Sequence, residues 1–253
     1  MKMFLTKYLL ETQLWVSGMI TYLSLFFGIL FSSVDHYRLE IVFFSTLAGY
    51  NYMHFHKYWL KYSKKILNLI IFISSLLILF FLIFLENDIS LIVKLLFLSI
   101  WVVLYNSYFI FLKIRNISLF KIILIATIWS CVIFYIGNNI IPSYSLFISV
   151  LLYIIGITIP FDIVDANRDT IQTIPKMVGV NFSKFISILC FNISFLLFYN
   201  NFSQKPDYSI AWGITNLFAA LLVLFMPQKN SYFYTRFWIE LSSSIPIIIY
   251  YFI

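Results

Sequence analysis

Charge is scarce in this sequence. Asp, Glu, Lys and Arg together make up 11% of 253 residues, where a soluble domain carries about 25%. That shortage excludes an ordinary water-soluble globule, which would have nowhere to put the remaining apolar surface. Cysteine is nearly absent. Cys131 and Cys190 both sit inside apolar runs, which excludes a disulfide framework and metal-ligand spacing and leaves two buried thiols. Glycine is also rare, at seven positions. With no clear pair of interrupted helices, this argues against a transporter built from inverted repeats with unwound segments. Only ten residues are acidic, so the few places where they cluster carry information.

What is abundant is hydrophobic. Apolar residues make up 62% of the chain, with 29 Phe and 18 Tyr, and the mean hydropathy is +0.95. Lipid-facing surface accounts for that aromatic excess without a cofactor cage. A membrane helix needs roughly 20 mostly apolar residues. Nine stretches meet or approach that length: 14–31, 41–55, 66–85, 91–112, 119–137, 145–161, 182–202, 210–226 and 233–252. Turn chemistry separates them, as in Glu86-Asn87-Asp88, Gly137-Asn138-Asn139 and Lys205-Pro206-Asp207. Continuous apolarity excludes the alternating pattern of a barrel, and open backbone cannot face lipid. The expected fold is all-α: a polytopic membrane bundle of nine transmembrane helices forming one domain over residues 1–253. The first apolar run starts behind Lys2, Lys7 and Glu11 without a small-residue cleavage site, and reads as a retained helix.

The basic residues set an orientation. With the N-terminus cytoplasmic and the C-terminus outside, 14 Lys and Arg fall in inner segments. Only Arg38, Lys94 and Lys205 fall outside. The net charge of +7 is then explained by loops facing an anionic leaflet, with no need for nucleic acid. No organelle presequence is evident, so a bacterial inner (cytoplasmic) membrane is the expected location.

Asp162, Asp165 and Asp169 lie within eight residues at the inner end of the sixth apolar stretch. Spacings of three and four put them on one helical face if the helix continues that far. Like charges so close repel unless a cation is present, and carboxylates with water and phosphate oxygens are what Mg2+ prefers. The pattern therefore suits a hard-cation site facing a diphosphate. It also suits a solvated loop in which Arg168 and Lys176 pair with the aspartates.

Pro160-Phe161-Asp162-Ile163-Val164-Asp165-Ala166-Asn167-Arg168-Asp169, followed by Thr173-Ile174-Pro175 and Val178-Gly179, resembles the second aspartate-rich motif of the UbiA-type intramembrane prenyltransferases. That family has nine helices with cytoplasmic aspartate loops after the second and sixth. Tyr105, with Lys113 and Arg115 closing the fourth helix, is similar to a family element that contacts diphosphate or acceptor. The resemblance implies transfer of a polyprenyl group from a prenyl diphosphate to a lipid-soluble, aromatic acceptor. It further implies that Asp162, Asp165 and Asp169 hold Mg2+–diphosphate, with Arg168 beside them.

The first aspartate motif departs from the family. Where N-D-x-x-D-x-x-x-D is expected, the chain reads Asn51-Tyr52-Met53-His54-Phe55-His56-Lys57-Tyr58-Trp59. Asn51 is kept, and the resemblance implies that it assists in binding the diphosphate, but all three aspartates are gone. Gln172 stands at the family's lysine position before Thr173. On a continued helix Asn51, His54, Tyr58 and Lys61 share a face, and Lys57 and Lys61 with His54 or His56 could neutralise diphosphate in place of metal. Equally, the lysines are ordinary positive-inside residues. Glu240 and Arg236, four apart, read as a helical ion pair. Two functional readings follow: a divergent prenyltransferase, or a non-catalytic relative binding an isoprenoid lipid or membrane partner on the same scaffold.

Overall fold

The computed structural model describes residues 5–58, 66–106, 118–166, 172–227 and 231–253, and within these the side chains other than those of residues 7, 54–58, 106, 118 and 231. The fold is all-α, with no strand among the described residues. By contacts the chain divides into two compact units, residues 1–113 with 132–140, and residues 114–131 with 141–253.

The first unit holds α1 (Leu14–Leu30), α2 (His36–Tyr58), α3 (Ile66–Glu86), α4 (Ile89–Asn106) and a π-helical turn, Val132–Gly137. Between apolar helices in lipid there is little hydrophobic drive, so close packing and interhelical hydrogen bonds hold them. Phe27 and Phe134 are fully buried with ring centroids 5.0 Å apart. Gly137 lies so close to Ser24 that a Cβ there would overlap the Ser24 hydroxyl. Next to it, Asn138 Nδ2 donates to Ser24 O (3.0 Å) and Ile133 O (2.8 Å). At the other end of the α3 sequence, Arg38 on the first turn of α2 clasps Glu86 (2.8 Å) and Asp88 (2.7 Å) across the two-residue break before α4. The outward surfaces of α3 and α4 remain apolar, with Phe80, Phe84 and Ile89 all exposed.

The second unit holds α5 (Ser118–Cys131), α6 (Tyr144–Asp165), a short α7 (Ile174–Val178), α8 (Val180–Phe202), α9 (Pro206–Leu224) and α10 (Ile245–Phe252). Helices α6 and α8 approach closely along small residues. Ser149 Oγ donates to Ser194 O at 2.7 Å, and Ser187 Oγ donates to Gly156 O at 2.5 Å. The second bond has a local cause. Pro160 has no N–H to give the carbonyl four residues back, which is that of Gly156, and Ser187 supplies the missing donor. Tyr153, Phe198 and Trp212 form an aromatic centre, with Tyr153 and Trp212 centroids 5.0 Å apart. The Tyr153 hydroxyl shares a 2.8 Å hydrogen bond with Ser242.

Among the described residues, five helices are long and apolar enough to cross a membrane: Ile66–Glu86, Leu119–Gly137, Tyr144–Asp165, Val180–Phe202 and Pro206–Leu224. Leu14–Leu30 and Ile89–Tyr105 are shorter apolar helices. The second expected span is a longer helix than hydropathy gives, since α2 starts at His36 and takes in polar and charged residues. The ninth is not one regular helix. Ser231–Tyr234 is α-helical, Thr235–Ile239 is π and Ser242–Ser244 is 3-10, before α10 resumes with Pro246 in its first turn. Three successive serines and a proline without an N–H explain that change of register.

Candidate functional site

The inner end of the expected sixth span is built by α5, α6 and the segment around α7. Ser143 caps α6, its hydroxyl accepting from Leu146 N. The helix then runs unbroken through Asp162 to Asp165, so these two carboxylates stand about one turn apart on one helix. Below them Ile122, Ile159 and Ile174 form a buried cluster, flanked by Ile155, Ile163 and Ile186. Ile122 follows Lys121, Ile159 and Ile163 bracket Asp162, and Ile174 follows Thr173. Packing the isoleucines therefore brings these polar residues together.

Asp162 is 2% exposed, and its Oδ1 accepts from Lys121 Nζ at 2.7 Å. A carboxylate held away from water needs such a partner, because an unpaired buried charge costs several kcal/mol. Asp165 is half-buried. Thr173 is buried at the start of α7, and its hydroxyl has no hydrogen-bond partner among the described residues. Gly179 then turns the chain from α7 into α8 at φ 86°, a conformation open to glycine and strained for other residues.

Asn51 belongs to the first unit, and its polar groups are committed. It is fully buried, with Nδ2 donating to Thr12 O (3.0 Å) and Leu47 O (2.9 Å). Its Oδ1 accepts from Asn68 Nδ2 at 2.8 Å, and Asn68 also donates to Glu11 O at 2.8 Å. The two amides thereby satisfy carbonyls in the irregular stretch between the π-helical turn Thr6–Leu10 and α1. Tyr105 is half-buried near the end of α4. His54 and Lys57 fall on α2, with side chains outside the described ones; Lys61, Lys113, Arg115, Arg168 and Asp169 lie outside the described residues.

Two carboxylates, Asp162 and Asp165, match the one or two that Mg2+ takes alongside phosphate and water oxygens. Lys121 holds one of the four oxygens. Among the described residues no three His, Cys, Asp or Glu side chains gather as a metal cage. The donor set thus suits a cation that arrives with phosphate oxygens more than one held by protein alone.

In the sequence Lys121 stands out only as one of the 14 basic residues expected on the inner side. Its position was nevertheless informative. It lies 17 residues before Asn138, and Asp162 lies 19 residues after Ser143. Two antiparallel neighbours leaving one turn therefore bring these residues to similar depth. No family model, curated protein or solved structure matches the chain.

Proposed function

We propose that this chain is an intramembrane prenyltransferase-like protein of nine spans in a bacterial inner membrane, with its N-terminus cytoplasmic. It would bind a prenyl diphosphate at the Asp162 end of α6 and pass the polyprenyl group to a lipid-soluble aromatic acceptor. The observation that carries the reading is the buried, cation-paired Asp162, one helical turn from Asp165, within the stretch that resembles the second aspartate motif. The one-sided distribution of Lys and Arg supports the topology.

On this reading the diphosphate replaces Asp162 as the partner of Lys121. Lys121 then holds the leaving group, a preorganised cation aimed at developing charge. Asp162 and Asp165, with Asp169, would hold Mg2+, which neutralises the departing diphosphate. The Thr173 hydroxyl is available to donate to a phosphate oxygen. Arg168, in the same stretch of sequence, would add positive charge.

A second reading is favoured by one observation. Lys121 already occupies one oxygen of Asp162. A scaffold so arranged suits a relative that binds an isoprenoid diphosphate without turnover. Incubating the purified protein with labelled polyprenyl diphosphates of several lengths and a mixed pool of membrane phenols separates the two. An enzyme releases inorganic diphosphate and prenylates a phenol. A binding protein retains the label unchanged. Retention of no label by any chain length sinks both readings.

A further inference from the structure

Lys121 Nζ bonds Asp162 Oδ1 at 2.7 Å, with 15% of the lysine side chain and 2% of the aspartate side chain exposed. An ammonium is a compact, strongly hydrated charge on a flexible stem. Here most of that hydration is exchanged for a charge-assisted hydrogen bond. Asp165, one turn further along α6, is half-buried.

A free divalent cation approaching α6 therefore meets one half-buried carboxylate and one that already holds a positive charge. Among the described residues no third His, Cys, Asp or Glu gathers with them, so the protein offers few oxygens beyond these two groups. An ammonium and a divalent ion on one carboxylate repel each other, and the repulsion grows where water is scarce. A diphosphate changes that balance. Lysine is a common phosphate partner, and its four-carbon stem lets Nζ turn to a new anion without moving the helix. Asp162 is then left buried without its cation, a costly state until another cation takes the place. Carboxylates together with phosphate oxygens are what a hard divalent ion prefers.

We propose that Lys121 closes Asp162 to free divalent cations, and that Asp162 becomes a metal ligand only once a diphosphate has taken the ammonium. Resting on the diphosphate site proposed above, this makes binding ordered: the site receives the anion or its metal complex and refuses metal alone. The full-length protein in detergent is dialysed to equilibrium against Mn2+, with and without saturating farnesyl thiodiphosphate, and bound ion and bound thiodiphosphate are both counted. The native chain should hold Mn2+ at least roughly tenfold more weakly alone than with the thiodiphosphate. Lys121→Met should bind Mn2+ alone at least roughly tenfold more tightly than the native chain does, and Mn2+ should raise the unfolding temperature of that variant. Lys121→Arg keeps a cation at the position and should behave as the native chain. Lys121→Met with Asp162→Leu should lose the gained ion, which assigns it to Asp162. Equal Mn2+ affinity of the native chain and Lys121→Met without thiodiphosphate overturns the proposal. The diphosphate site still stands in that case if the native chain retains the thiodiphosphate. Retention of no thiodiphosphate, with or without Mn2+, sinks the site and the gate together. If Lys121→Met is not monodisperse, Lys121→Gln takes its place with the same outcomes.

Discussion

Lys121 and Asp162, on consecutive helices of one unit, form an ion pair 2.7 Å long in which the carboxylate is 2% exposed. Removing one member of a buried pair costs about 3–5 kcal/mol, because the other charge is left unmatched. Lys121→Met should therefore lower the unfolding temperature in detergent by on the order of 10 °C. Lys121→Met with Asp162→Leu should recover most of that loss. An unchanged melting curve for the single variant would mean that the pair is not formed.

Pro160 and Ser187 provide a second test. The Gly156 carbonyl loses its helical donor to Pro160 and regains one from Ser187 Oγ. Ser187→Ala should destabilise the protein by about 1–3 kcal/mol. In the Pro160→Ala background the same change should cost far less, since an alanine at that position offers its own N–H. A double-mutant cycle of thermal or denaturant unfolding reads the coupling, and additivity would refute it.

Asn51→Leu should behave as a packing defect. It leaves Thr12 O and Asn68 without their partners, at about 1–3 kcal/mol. Differential scanning of the variant should show a lower unfolding temperature, while prenyl diphosphate binding per folded molecule stays constant. A loss of binding at unchanged stability would instead put Asn51 against the ligand.

The clasp at Arg38 predicts a response to acid. Its hydrogen bond holds the Asp88 carboxyl below the ordinary value of 3.8, against a smaller opposing effect of desolvation. Because the folded value is depressed, this contribution is complete above 3.8 and is lost as pH falls through the folded value. Unfolding temperature should thus drop as pH falls below 3.8 in the native chain. In Arg38→Gln it should start lower at neutral pH and fall less over that range.

The sequence made the helical, membrane-type character plain, because 62% apolar content with 11% charge leaves few alternatives. The sequence left open whether α6 continues past residue 161, and the helix runs on to Asp165. Less legible were features that depend on a neighbour. Hydropathy cannot see that Arg38 will be neutralised by Glu86 and Asp88, and so it starts α2 too late. Nor can it see that Ser242–Ser244 will bond locally and to Tyr153, interrupting an otherwise apolar run. At the site the aspartates stood out as a cluster, whereas Lys121, 41 residues from Asp162, carries no local signal. Asn51 matched a motif position, yet its surroundings give it a structural task that only the approach of Asn68 and Thr12 reveals.

The central claim, that the Asp162 end of α6 receives a prenyl diphosphate, is tested most directly by equilibrium binding of radiolabelled farnesyl diphosphate to the purified protein, with and without Mg2+. Asp162→Asn, Asp165→Asn and Lys121→Met are measured alongside at matched folded fraction. The account predicts saturable binding that strengthens with Mg2+, loses that Mg2+ enhancement in both aspartate variants, and falls at least roughly tenfold in Lys121→Met. Binding of equal strength in all four proteins, with or without Mg2+, would contradict it.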